Sequence, residues 1–407
     1  MKCRYCKQPL HITFLDLGFA PPSNAYLTKA DLIKSEKYYP LKIKVCESCW
    51  LVQTEDYADI DELFSPDYAY FSSTSFSWLK HAKEYAVKII DELGLTSKSL
   101  VIEVASNDGY LLKNFLDNKI PCLGIEPTNS TAMAAEELGI PVLKEFFSEA
   151  LGRRLTLEGR SADLIIGNNV FAHVPDINDF TLGLKASLKQ GGTITLEFPH
   201  LQRLIEYTQF DTVYHEHFSY LSLYTVQQIL MQADLRIWNV EELSTHGGSL
   251  RIFACHAKDK RETLPSVDAL LEQELIFGLK KLTTYQNFQT KAEKIKNDLL
   301  NFLLEQKRLG KTIAAYGAAA KGNTLLNFAG VKPDLLPVVY DAAPAKQGKF
   351  MPGSHIPISP PEDLAKNIPN WLLILPWNIK AEVTAQNLKY KELGMKFVTV
   401  VPSIHQS

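Results

Sequence analysis

The sequence predicts an α/β protein: a small cysteine-bearing module, then two units built on parallel sheets with helices on both faces. Three observations predict it. From residue 100 onward, short apolar runs rich in β-branched residues alternate with helical stretches, the pattern of strands buried on both faces. Two of those runs, at residues 100–104 and 311–316, feed directly into a tight turn of small or polar residues and then a helix. Two C-x2-C pairs precede both. A chain of 407 residues is too long for one core, and these breaks divide it at 1–76, 77–257 and 258–407.

Composition sets outer bounds. Hydrophobic residues at 46% and charged residues at 22% are those of an ordinary globular protein. A net charge of −3 gives no electrostatic case for nucleic acid or an anionic membrane as partner. No apolar run approaches twenty residues and no signal peptide is evident, so the expected compartment is the cytoplasm.

In the first module Cys3-x2-Cys6 and Cys46-x2-Cys49 stand 39 residues apart. Two such knuckles supply four thiolates for a closed tetrahedral zinc site. Two disulfides or a redox C-x-x-C are the other readings; a cytosolic chain disfavours the first and the duplication the second. Zinc with no open coordination position would fold the module rather than do chemistry. Residues 16–24 read as a turn-rich loop and 41–45 as an alternating strand. The aromatic, hydroxyl-rich stretch 67–75, with Tyr68 and Tyr70, suits a domain junction or the lid of a site.

The central module opens with a helical stretch at 78–93 and then a strand ending near Glu103. The turn Ala105-Ser106-Asn107-Asp108-Gly109 follows, and a second strand about twenty residues on delivers Glu126 and Pro127. Open α/β sheets bind ligands beyond such strand ends, and an acid in the Glu126 position typically holds ribose hydroxyls. Ala105 and Asn107 stand where dinucleotide binders carry glycines, so a nucleoside without phosphates fits better, with S-adenosylmethionine the candidate. An ordinary βα turn with an exposed acid is the competing reading. A third strand at 163–170 ends in Asn168-Asn169, where a cofactor rim would lie, and a fourth covers 191–199.

The densest chemistry lies in Phe210-Asp211-Thr212-Val213-Tyr214-His215-Glu216-His217-Phe218-Ser219-Tyr220. Extended, His215 and His217 would share one face with Glu216 pointing away, a poor metal site without further ligands. As catalytic groups they make sense: a histidine base, a carboxylate to orient it, a tyrosine for developing negative charge. Satisfied core and surface polar groups are the bland alternative. The turn at His246-Gly247 would let a ligand approach the backbone.

In the last module, heptad-like spacing over 267–309 reads as long helices. The turn at 317–324 resembles a phosphate-binding loop, but Lys321 precedes the second glycine, which argues against magnesium and γ-phosphate chemistry. Small residues at a helix start still make a good diphosphate site, with Asn323 in the same turn. A strand at 336–340 ends in Asp341 ahead of Lys346 and Gly348, and another covers 371–375. A purely structural α/β unit remains the alternative.

Taken together, LDLGFAPPSNAYL, DYAYFSS, IEVASNDGYLL, GIEPT, NNVFAHVPD, YHEHFSYLS, THGGSLR, YGAAAKGNTLLNF and PGSHIPI resemble, in order and across nearly the whole chain, the nucleotide-deoxysugar C-methyltransferase family. No single motif is specific; the set is. The resemblance implies a zinc-binding N-terminal domain, a class I methyltransferase Rossmann-like domain, and a second, smaller Rossmann-like domain that helps hold the nucleotide sugar. It implies methyl transfer from S-adenosylmethionine to a carbon, carbon 3, beside the ketone of a nucleotide-linked 4-keto-6-deoxyhexose. By resemblance His217 is the base, Tyr214 and Glu216 assist, and His173 sits near the carbonyl or the base. His355, in PGSHIPI, joins the expected sugar-nucleotide contacts. O- or N-methylation of a nucleotide sugar, an NAD-dependent sugar oxidoreductase and a non-enzymatic zinc module are the alternatives. The nucleotide base is open, as is the choice between a monomer and a small homo-oligomer.

Overall fold

Three sheets organise the chain. The computed structural model describes residues 1–55, 72–74 and 76–406. Strands β1 (Ile12–Ala20), β2 (Tyr39–Val45) and β3 (Val52–Thr54) form an antiparallel sheet whose fourth strand, β9 (Ser219–Tyr220), arrives from the middle of the chain. Most of the loop expected at 16–24 is therefore strand. Two register shifts in β1, at Thr13/Leu15 and Asp16/Phe19, break the alternation by which a strand is recognised.

The central sheet runs β10-β11-β8-β7-β4-β5-β6. Strands β4 (Val101–Val104), β5 (Cys122–Ile125), β6 (Val142–Leu143), β7 (Ala162–Asn168) and β8 (Leu188–Pro199) are parallel, each linked by a helical crossover. Every residue of β4 and β5 is buried, which explains their largely apolar sequence, Glu103 excepted. The expectation of a parallel sheet ends at β8: β10 (Leu235–Leu243) and β11 (Ser249–His256) are an antiparallel pair, with β11 antiparallel to β8. A short 3-10 turn at Thr245–Gly247 joins them.

The third sheet, β14-β13-β12-β15-β16-β17, comprises β12 (Ile313–Tyr316), β13 (Val339–Tyr340), β14 (Ile358–Ser359), β15 (Trp371–Ile374), β16 (Lys396–Thr399) and β17 (His405–Gln406). All are parallel except the last pair. The strand expected at 336–340 shrinks to β13, since Pro337 offers no N–H to a ladder.

The stretch at 267–309 is three helices, Pro265–Phe277, Leu282–Gln286 and Phe288–Arg308, the first stopped by Gly278 in the left-handed conformation. Val267 and Leu270 bury into the core of the central sheet. The long helix instead packs against β1, where Phe288 stacks on Phe14 with ring centroids 4.5 Å apart. The N-terminal and C-terminal sheets thereby share one core. Among the described residues no helix is long and apolar enough to cross a membrane.

Candidate active site

A cavity of about 1000 Å³ opens at the carboxyl ends of four parallel strands. Its wall holds Val104-Ala105 after β4, Ile125-Glu126-Pro127 after β5, Asn168-Asn169 after β7 and Pro199 after β8. The same cavity is lined by Tyr214, His217 and His246, together with Ala319, Ala320, Lys321 and Lys346 from the C-terminal unit. One space thus joins the expected cofactor turn, the histidine segment and the basic turn.

The turn after β4 is braced from behind. Ala105 and Asn107 take positive φ, 56° and 51°, and Gly109 must lack a side chain, since a Cβ there would stand 2.6 Å from Ile140. Glu126 accepts the Asn107 and Thr128 amides at 3.0 and 2.9 Å. Ser72 and Ser73 donate their amides to the Asn107 and Asp108 side chains at 2.9 and 3.1 Å, so the end of the first module docks on this turn. Glu103, Ser106, Asp108 and Gly109, expected at the cofactor, lie behind the wall as supports. Burial, then the charges of Asp108 and Glu126, pushes the Glu103 carboxyl well above the usual range.

Whether S-adenosylmethionine fits is testable on donors and acceptors. Asn168 Oδ1 and Asn169 Oδ1 are buried acceptors in the lining without a hydrogen-bond partner among the described residues. A ligand rich in donors suits such a wall, as do ribose hydroxyls beside Glu126.

The histidine segment is a turn, not the extended run expected, so His215 and His217 point apart. His215 Nε2 lies 3.3 Å from the Tyr39 carbonyl, outside the cavity. His217 faces inward, its Nδ1 3.0 Å from the Thr212 carbonyl. A carbonyl only accepts, so Nδ1 carries the proton and Nε2 is the basic atom. The His217 ring lies 4.0 Å from Tyr214 and 4.6 Å, edge to face, from His173, centroid to centroid. Burial, then the neighbouring His173, holds the His217 imidazole well below its usual pKa. Burial likewise takes His173 and His246 down to about 4. Glu216 sits behind the wall, one oxygen accepting from Asn24 at 3.3 Å, and burial raises its carboxyl to about 7.

On the basic side, Lys321 donates to Asn378 at 2.7 Å and lies 4.6 Å above the Trp377 ring. Lys346 donates to the Ala318 carbonyl at 2.9 Å. Other expected contacts lie elsewhere. Gly247 makes room for Trp377 rather than a ligand, a Cβ there falling 2.3 Å from the indole. Asn323 is buried, donating to the Ser23 carbonyl at 2.6 Å. Asp341 accepts the Ala318 and Ala343 amides at 2.7 and 2.8 Å and thereby shapes the turn. Gly348 does not line the cavity, and His355 pairs with Glu36 at 2.9 Å across a junction between units. Tyr68 and Tyr70 fall outside the described residues. Trp78, Asn24, Thr212 and Asn378 also line the cavity. Asn24 and Asn378 had signals, one inside APPSN and the other just past a strand end.

In the N-terminal unit Cys3, Cys6, Cys46 and Cys49 bring their sulfurs within 4.8 Å of one another. Cys3–Cys49 and Cys6–Cys46 are 3.6 and 3.5 Å apart. Zinc–thiolate bonds of about 2.3 Å in a tetrahedron put sulfurs about 3.8 Å apart, so the set fits zinc.

Residues 3–64 match a family of zinc binding domains, 78–240 a methyltransferase domain family, and 244–402 the C-methyltransferase C-terminal domain. C-methyltransferase NovU of Streptomyces niveus is 31% identical over 401 residues, 98% of this chain and 95% of that protein. The chain belongs to the C-methyltransferase family. Among solved structures, an S-adenosylmethionine-dependent methyltransferase from Clostridium acetobutylicum is 11% identical over 43% of this chain and 91% of that one, with a TM-score of 0.35. The PH0226 protein of Pyrococcus horikoshii is 13% identical over 49% and 99%, with a TM-score of 0.38. This C-methyltransferase depends on S-adenosylmethionine, carries a zinc-binding N-terminal domain and has a class I methyltransferase Rossmann-like fold with a second domain after it.

Proposed function

We propose that this C-methyltransferase methylates carbon 3 of a nucleotide-linked 4-keto-6-deoxyhexose, in branched deoxysugar biosynthesis. The observation that carries the reading is the composition of one cavity: a buried neutral histidine, a tyrosine and two lysines face the cofactor turn. A carbon acceptor requires a base, because a C–H beside a ketone must be deprotonated before it can attack. Nucleophilic oxygen or nitrogen would not need enolisation.

His217 Nε2 takes the proton, with Nδ1 held by Thr212. Desolvation keeps this imidazole uncharged near neutral pH, at the cost of some basicity. His173 buttresses the ring, Tyr214 offers a hydroxyl to the developing enolate oxygen, and Glu216 sets the turn from behind. Bound S-adenosylmethionine supplies the methyl group as an electrophile on sulfonium. Asn107, Glu126, Asn168 and Asn169 would hold the cofactor's polar groups at the strand ends. Lys321, Lys346 and the start of the Ala320–Ala329 helix receive the diphosphate. Placing both partners within one enclosed space supplies several kcal/mol of the barrier.

A panel of thymidine-, guanosine- and cytidine-diphosphate 4-keto-6-deoxyhexoses with S-adenosylmethionine should yield one product whose new methyl is carbon-bound by NMR. His217→Asn should bind both substrates, turn over about 10²- to 10⁴-fold more slowly, and lose solvent exchange of the proton beside the ketone. Wild-type exchange in His217→Asn would place the base elsewhere, and an oxygen- or nitrogen-bound methyl would overturn the reaction class.

A further inference from the structure

We propose that Arg4, inside the first cysteine knuckle, is a positioning residue that sets the geometry of the His173–His217 pair. The proposal rests on the reading of that pair as base and buttress. Arg4 stands between Cys3 and Cys6 and is only 6% exposed. Its Nη1 donates to the Pro175 carbonyl at 2.8 Å and its Nη2 to the Thr54 carbonyl at 3.2 Å. The guanidinium also lies 5.2 Å from the centre of the Phe218 ring. Pro175 follows His173 by two residues, and Phe218 follows His217 directly.

The connections on the knuckle side are equally direct. The Arg4 amide donates to Gln53 Oε1 at 2.8 Å, and Gln53 Nε2 reaches Cys3 Sγ at 3.2 Å. Gln53 is paired in the sheet with Ser219, and the Thr54 amide donates to the Phe218 carbonyl at 3.2 Å. Asn178, on the far side of the His173 loop, donates to the Tyr5 carbonyl at 3.0 Å. Both histidine-bearing segments are therefore fastened to residues 3–6.

Thr212 orients the His217 ring, but the segments that carry the two histidines are short and need an outside anchor to hold their place. His173 ends a three-residue 3-10 helix, and His217 follows a turn and precedes a two-residue strand. A planar fork that bonds two carbonyls while stacking on an aromatic face does what a lysine's single ammonium cannot. Misplacing a reacting group by about 1 Å costs about 100-fold in rate, so small shifts of the pair register in turnover.

The test compares wild type, Arg4→Lys and Arg4→Met, with the acceptor selected from the nucleotide-sugar panel. Zinc content, melting temperature and S-adenosylmethionine affinity should stay at wild-type values in Arg4→Lys. Its kcat should fall about 10- to 100-fold with KM for the sugar nucleotide little changed. In protein labelled with ¹⁵N-histidine, the His173 and His217 ring signals should shift, more in Arg4→Met than in Arg4→Lys, and those of His11 should not. Unmoved ring signals, an unchanged kcat, or zinc loss that accounts for the whole rate defect would each overturn the proposal. The ring signals report position whether or not His217 is the base. If Arg4→Lys moves them while His217→Asn keeps full proton exchange, the positioning stands and the base assignment falls.

Discussion

Glu216→Gln should stabilise the protein at pH 8 and have a much smaller effect at pH 5. The carboxyl is 1% exposed, with one oxygen accepting from Asn24 and the other lacking a partner among the described residues. Its pKa of about 7 in the folded chain compares with an ordinary value of 4.5. The folded state therefore holds this proton more tightly than the unfolded state. Stability from it is fully present below pH 4.5 and drains away as pH rises to about 7. At 1.36 kcal/mol per unit, ionised Glu216 costs about 3 kcal/mol at pH 8 and under about 1 kcal/mol at pH 5. Gln keeps the acceptor for Asn24 and never ionises, so the advantage of the variant should grow by about 2.5 kcal/mol between those pH values. For unfolding units of 150–250 residues that is a gap in Tm widening by about 5–10 °C. His173, His217 and His246 are held neutral by burial and destabilise the protein as pH falls below 6.5, but they do so in both proteins and cancel in the difference. Paired thermal melts at pH 5, 6, 7 and 8 measure it. A gap that stays constant, or narrows as pH rises, refutes the assignment of Glu216 as a carboxyl whose burial outweighs its hydrogen bonds.

Metal analysis should give about one zinc per chain, and Cys46→Ser should lower folded yield; a soluble, normally melting, zinc-free variant would remove the structural role. Glu126→Ala should weaken S-adenosylmethionine binding by about 10- to 100-fold in calorimetry while sparing the sugar nucleotide, since it deletes a charged acceptor. Lys321→Met should raise KM for the sugar nucleotide by about 10- to 100-fold and leave cofactor affinity unchanged. Loss of cofactor binding instead would reverse the roles of the two walls.

What the chain reveals on reading follows the range of the forces involved. Strands β4, β5 and β7 are legible because burial on both faces writes a short, mostly apolar run. The four cysteines are legible because their spacing is local to each knuckle. The glycines are harder to read. Gly247 is small for the sake of Trp377 and Gly322 for Leu375, neighbours separated by more than fifty positions, so neither admits a ligand. A bulky residue at 322 would collide with Leu375 at 2.9 Å, which makes Lys321 the sounder place to probe the diphosphate. The orientation of His215 and His217 was equally hidden. Nothing in that run of polar residues marks a bend, and the turn is held by a local bond to Thr212 and a distant one to Tyr39.

The N-terminal sheet borrows its last strand from residues 219–220, and this has a consequence for how the chain is made. Translation delivers β1, β2, β3 and all four cysteines long before β9 exists. Until some 165 further residues have left the ribosome, the outer edge of β3 has no partner, with Val52, Gln53 and Thr54 offering unpaired backbone groups. A fragment ending near residue 76 would keep that edge bare for good and stick to its copies, however well it bound metal. The nascent knuckles can capture zinc early, yet the sheet around them closes only when the segment carrying His217 arrives. Quality control is built into that order: a chain truncated before the His217 turn also lacks a finished amino-terminal sheet.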